Sequence, residues 1–235
     1  MKLSHGLAAV GLTFAAVTAN AEITGTIGAY SDYNWRGITQ TSQDPALQGS
    51  IDYAHDSGFY AGVWASNVDF GDCCDENIET DLYLGFSGGE DVTWDVGGIY
   101  YLYPGAEDLD FWEIYAGLGW NWLSGKLSYS SDFANLDESA LYLEANGEWE
   151  LPANFGLNAH VGYSDGDAIE LAYGQSDYFD WAVGVSYTLG HFDFGLKYAD
   201  GSDLKTLDGT PDDVSSSEGV AIFSVSTSFP WSAEE

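Results

Sequence analysis

The chain has 235 residues, with 38 acidic against five basic side chains and a net charge of −33, and it holds nine Trp, sixteen Tyr, twelve Phe and 29 Gly. That balance excludes a nucleic-acid partner, which needs a basic footprint, and a polybasic grip on an anionic membrane surface. It leaves a preference for cations, or solubility in a salty medium that screens self-repulsion.

The first residues read as an export signal. Met1-Lys2 gives a positive start, residues 7–19 are mostly apolar, and Ala19-Asn20-Ala21 is a small-residue cleavage pattern before Glu22. A cleaved signal peptide is expected over residues 1–21 and one domain over 22–235, since no linker or composition break follows. Loss of Lys2 leaves Arg36, Lys126, Lys197 and Lys205 as the basic residues. No later stretch approaches the roughly 18 consecutive apolar residues of a membrane helix.

From Ile23 onward the pattern has period two. Strands are expected over residues 23–35, 45–53, 58–70, 78–86, 91–103, 111–122, 123–130, 141–149, 155–164, 181–189, 192–198 and 220–229. The earlier ones are blurred by glycine. Residues 111–122 show the alternation best: Trp112, Ile114, Ala116, Leu118, Trp120 and Trp122 share one face, while Phe111, Glu113, Tyr115, Gly117, Gly119 and Asn121 share the other. The connectors alternate too. Tight turns are expected at 55–57, 87–90, 123–125, 151–154 and 190–191, and long acidic spans at 37–44, 71–77, 104–110, 131–138, 165–177 and 201–218.

Short turns at one end and long loops at the other, with an even strand count, predict an all-β, up-and-down antiparallel transmembrane β-barrel of twelve strands with long acidic external loops. Both termini then lie on the periplasmic side. A soluble sandwich also alternates, but its inner face needs an apolar core, and here the second face is small and polar, as a wet lumen requires. Parity assigns Asp95, Glu113, Lys126, Glu144, Glu148, His160, Asp180, Asp193 and Lys197 to that lumen. The last strand alternates toward Phe229, and residues 230–235 extend past it.

Near the N-terminus the sequence becomes specific. Ser31-Asp32-Tyr33-Asn34-Trp35-Arg36-Gly37-Ile38-Thr39-Gln40, Pro45-Ala46-Leu47-Gln48-Gly49, Asp52-Tyr53 and the run from Gly58 to Phe70 resemble the TorF-type porin family, bacterial outer-membrane barrels of uncharacterised function. The resemblance is detailed over residues 23–70 and follows length and strand rhythm to Phe229. It implies an outer-membrane barrel and a pore, with no catalytic residues. Arg36, the single arginine, stands where the first strand reaches the outer end; among so many carboxylates an ion pair at the mouth is expected, with Asp32, Asp69 or an acid of a neighbouring strand.

Other sites carry less. Gly85-Phe86-Ser87-Gly88-Gly89 fits the G-x-S-x-G pattern, but it stands between strands, where a glycine-rich hairpin is the reading. His55 and His191 fall in turns and only His160 on the lumen face, so no Ser–His partnership is indicated and no enzyme is expected. Asp165, Asp167 and Glu170 offer hard oxygen ligands without the EF-hand spacing, and weakly bound divalent cations at the outer face are the most that they imply by way of cofactor. Cys73 and Cys74 are adjacent, so they make no loop-closing staple; a strained vicinal disulfide, pairing between molecules or soft-metal capture are the chemistries open to them. The expectation is a channel for passive passage of small solutes or ions, cation-preferring, with outer-membrane lipid as its surroundings. The alternatives are a closed structural or adhesive barrel acting through its loops, and a secreted soluble β-protein that binds a saccharide through aromatics.

Overall fold

The computed structural model describes residues 21–71, 77–202, 204 and 216–231. Residues 1–20, which hold all but the last residue of the expected signal peptide, Cys73 and Cys74, Asp203, Lys205, Asp208, Asp212, Asp213 and the residues after Trp231 lie outside the described residues.

In chain order the strands are β1 (Glu22–Tyr30), β2 (Asn34–Trp35), β3 (Ile38–Thr39), β4 (Ala46–Ala54), β5 (Phe59–Asn67), β6 (Ile78–Gly89), β7 (Val92–Leu102), β8 (Phe111–Trp120), β9 (Leu123–Ser130), β10 (Ala140–Leu151), β11 (Phe155–Asp165), β12 (Asp177–Leu189), β13 (Phe192–Gly201) and β14 (Val220–Phe229). A short helix, α1 (Asp167–Tyr173), lies between β11 and β12. Strands β1 and β4 to β14 form one closed barrel of twelve, each antiparallel to its neighbours, and β2 and β3 form a separate two-stranded hairpin. β1 closes the ring: Ile27 stands opposite Gly49 of β4 and Thr227 of β14. Closure leaves no sheet edge, so the backbone groups of β1 and β14 are paired within the chain.

The side-chain pattern is the reverse of a soluble core. On β8, Ile114 and Leu118 point outward at 53% and 62% exposure, while Phe111, Glu113 and Tyr115 point inward at 4%, 3% and 7%. Leu84, Val96, Leu143, Val161, Val183, Val185 and Leu196 extend this apolar outer face around the ring. Aromatic side chains edge it. At the turn end Trp122 stacks on Trp149, and Trp231 stacks on His191 and Phe229; toward the loop end Tyr163 meets Phe179 and Trp181 meets Tyr198. An apolar band between aromatic girdles is the surface that hydrocarbon and its two interfaces select.

Three local expectations are corrected. The expected strand over 23–35 ends at Tyr30, and the chain then folds inward to make β2 and β3. The turn expected at 123–125 lies at Asn121 and Trp122, where Asn121 takes the left-handed conformation that asparagine tolerates (φ 53°). The Gly85–Gly88 run stays within β6 and only Gly89 (φ 101°) leads into the turn at Glu90 and Asp91, so the run is no hydrolase elbow and the turn lies at its end.

Candidate functional site: the barrel interior and its first loop

The first loop, residues 31–45, crosses the interior instead of standing above it. Its tip is the β2–β3 hairpin, turned by Arg36 (φ 51°) and Gly37 (φ 79°). Gly37 lies so close to Asp180 of β12 that a Cβ would overlap that side chain, and the left-handed backbone adds a second reason for glycine. Ile38 is 1% exposed and Thr39 bonds through its backbone N–H to the carbonyl of Ser216. Within the loop, Asp32 accepts hydrogen bonds from the hydroxyls of Thr39 at 2.5 Å and Thr41 at 3.1 Å. Burial pushes the Asp32 carboxyl above its usual range, and the two threonine hydroxyls and nearby Lys197 pull it back in part.

Arg36 makes an ion pair, but not with Asp32 or Asp69. Its guanidinium reaches across to Glu113 of β8 with two parallel hydrogen bonds of 2.8 and 2.7 Å. It lies over the Trp35 ring at 4.2 Å and the Tyr142 ring at 4.3 Å. Burial disfavours the cation, yet the facing Glu113 carboxylate more than offsets it and holds the guanidinium above its ordinary range. The inward fold of the hairpin is the physical reason: it carries Arg36 away from the rim, where Asp69 instead accepts the Gly71 N–H and its carbonyl accepts the Ser42 hydroxyl.

The remaining lumen candidates fall into two walls. On β8 to β13 acids meet bases: Lys126 pairs with Glu144 at 2.9 Å, and His160 pairs with Asp180 at 2.8 Å while facing Asn146 at 2.6 Å. Tyr142 also reaches His160 and Asp180 through its hydroxyl. Lys197 is within electrostatic reach of Asp32 and Asp180. Asp193 accepts the Thr188 hydroxyl at 2.5 Å, and Glu148, near the turn end, is exposed.

On β1 and β4 to β7 there is no Lys, Arg or His at all. Here the acids meet tyrosines. Asp95 accepts the Tyr60 hydroxyl at 2.6 Å, which also meets the Tyr115 hydroxyl at 2.6 Å. Asp52 accepts the Tyr83 hydroxyl, and Glu79 accepts the hydroxyl of Tyr33 from the first loop at 3.0 Å. The rings lie flat because their neighbours are glycines: a Cβ on Gly62 would overlap Tyr83, one on Gly85 would overlap Tyr60, and one on Gly97 would overlap Tyr115. Asp52, Glu79 and Asp81 were not among the expected lumen residues. The alternations Gln48, Ser50, Asp52 on β4 and Glu79, Asp81, Tyr83, Gly85 on β6 are their signal, the same kind that marks Asp95 on β7.

The loop end of the interior is not the wet, polar space expected there. Ile38, Tyr101, Tyr103, Phe111, Phe133, Ala140, Ala168, Ile169 and Tyr178 form one buried apolar cluster, built from the first loop, the loops on either side of β8 and β9, and α1. Glu79, Asp81, Glu113 and Asp180 stand against it, and Asp52, Asp95 and Lys126 lie further toward the turns. Of the divalent-cation candidates, Asp165 accepts the Tyr163 hydroxyl, while Asp167 and Glu170 line a surface cavity of about 440 Å³ with Glu138, Leu171 and Gly174. Among the described residues no group of three His, Cys, Asp or Glu is arranged to hold a metal.

Solved barrels share this fold. The NanC porin superposes with a TM-score of 0.59 at 9% identity, over 89% of this chain and 100% of that one. The KdgM porin gives 0.56 at 10% identity over 89% and 99%, and its complex with disordered oligogalacturonate 0.55 at 10% over 91% and 100%. Identities this low establish the fold alone. No curated protein matches the chain in sequence. The family model for bacterial proteins of unknown function, Gcw_chp, matches residues 15–229, and the chain belongs to that family.

Proposed function

We propose that the chain is a porin-like channel of the outer membrane, exported through a cleaved leader, that passes small solutes or ions passively and prefers cations. The carrying observation is a closed barrel with an apolar, aromatic-edged outside and an inside lined by ionised and hydroxyl groups. Such an outside is stable only in lipid, and such an inside serves no packing purpose in a protein of this size. The cation preference rests on the wall of β4 to β7, whose acids have no basic partner on their own strands. A polyanion such as the oligogalacturonate bound to KdgM is a poor guest for that wall, so the shared fold does not carry that ligand over to this chain. The resemblance of residues 23–70 to TorF-type porins supports the same reading. No reaction chemistry is needed, because transport down a gradient requires only a path.

Planar-bilayer recording of the refolded chain tests this. Single-channel steps with a reversal potential toward the cation value are expected under a salt gradient. An anion-selective reversal potential defeats the selectivity, and well-folded protein that never conducts defeats the channel. The second outcome would favour a closed structural barrel, a reading that the apolar cluster at the loop end speaks for.

A further inference from the structure

Each inward carboxylate of the first-loop region has a donor except one. Glu113 has Arg36 and the Tyr101 hydroxyl, Glu79 has Tyr33, Asp52 has Tyr83 and Asp95 has Tyr60. Asp81 is 1% exposed, and neither of its carboxylate oxygens has a hydrogen-bond partner. It sits two residues from Glu79 on the same face of β6, and Glu79 is itself 2% exposed, so two buried carboxyl groups stand side by side. Two ionised carboxylates have no hydrogen to share and repel in a buried site, so neither satisfies the other. One proton between them repairs both defects: it supplies the missing donor and removes one of the two charges.

The surroundings leave few other remedies. Opposite Asp81 stand Trp64 on β5 and Tyr101 on β7; opposite Glu79 stands Ser66. Tyr103 lies against the pair from beyond β7, and Tyr33 from the first loop. On β6 itself Tyr83 is engaged with Asp52 of β4. From β8 comes another acid, Glu113, whose charge adds to the repulsion and whose partner Arg36 is already bonded to it on both oxygens. Neither β5 nor β7 offers a base.

We propose that Glu79 and Asp81 share one proton, and that this proton keeps the first loop seated in the barrel through the Tyr33–Glu79 hydrogen bond. Seating then binds one proton more than release, where the loosened pair is hydrated and titrates as ordinary carboxylates. The sign follows. Seating is fully supported below the ordinary carboxylate range, near pH 4, and weakens by about tenfold per pH unit as pH rises from there to the titration point of the seated pair. Acid closes the loop onto the wall and alkali releases it. Any effect on conduction rests on the channel reading; the effect on the loop does not.

The test is hydrogen exchange of the first-loop amides, residues 31–45, in the full chain refolded in detergent micelles, corrected for the pH dependence of intrinsic exchange. Protection in wild type is expected to fall by up to about tenfold per pH unit over that window. Asp81→Asn supplies a permanent donor to Glu79, so its loop should stay protected with no slope. Glu79→Gln makes the same substitution from the other side and serves if Asp81→Asn does not refold. A flat wild-type profile, or a variant that keeps the wild-type slope, overturns the proposal. Bilayer conductance measured in parallel separates the two readings: a sloping exchange profile in a barrel that never conducts sinks the channel and leaves the proton pair standing.

Discussion

Along β4 to β7, Asp52, Glu79 and Asp95 each face a tyrosine hydroxyl, whereas along β8 to β12 Glu113, Glu144 and Asp180 each face a guanidinium, an ammonium or an imidazole. Both arrangements satisfy a buried carboxylate, but they leave different fields behind. A hydroxyl or a neutral imidazole donates a hydrogen bond and keeps the negative charge; a guanidinium or an ammonium cancels it. The interior potential is therefore weighted toward β4 to β7, with Asp193 and Glu148 the acids of the other side that have no base, and that other side serves as a rigid frame against which the first loop is pinned by Arg36. One interior is divided between a charged wall and a braced wall.

The contrast is broken most severely at the brace. Glu113→Ala strands the buried Arg36 guanidinium, and a loss of about 3–5 kcal/mol is expected, whereas Asp52→Asn on the other wall keeps a hydrogen bond from Tyr83 and costs about 1 kcal/mol. Reversible urea unfolding in lipid vesicles compares the two; equal losses would mean that the walls are alike. Next comes the tyrosine seat. Gly62→Ala drives a methyl into the Tyr83 ring and is expected to cost about 1–3 kcal/mol in the same assay, with loss of the Tyr83–Asp52 bond seen as a changed tyrosine absorbance.

Smaller effects sharpen the comparison. Tyr60→Phe removes the donor to Asp95 and one partner of Tyr115, for about 1 kcal/mol of stability. Lys126→Met leaves Glu144 with the His160 ring at 3.8 Å as its remaining polar neighbour and costs under about 1 kcal/mol, because the pair is partly solvated. Its expected signature is electrical: the reversal potential moves toward stronger cation preference as the braced wall begins to resemble the charged one. An unchanged potential would mean that Lys126 does not face the conducting path.

Much of the barrel was legible from alternation alone, because lipid demands an unbroken apolar face and β8 supplies one from Trp112 to Trp120. The earlier strands read poorly for a reason that lies in their neighbours. Gly62, Gly85 and Gly97 interrupt the pattern since each makes room for a tyrosine one strand away, a contact that no single-strand period encodes. Arg36 shows the same limit. Its charge marked it for pairing, but Glu113 stands 77 positions away, and only the inward hairpin makes it nearer than Asp32 or Asp69. Asp81 was visible to parity, yet what distinguishes it is the absence of a donor, a property of the packed interior and not of the strand.

The flat tyrosines have a further consequence for the width of the barrel interior. A ring that lies along the wall takes up its own thickness, and a ring pushed upright takes up its length. Gly62, Gly85 and Gly97 decide between these postures for Tyr83, Tyr60 and Tyr115. Bore and charge are thus set by separate residues. A glycine-to-alanine change would then add bulk to the barrel interior without removing a carboxylate, so on the proposed channel reading the bore is graded by size apart from the charge that draws a cation.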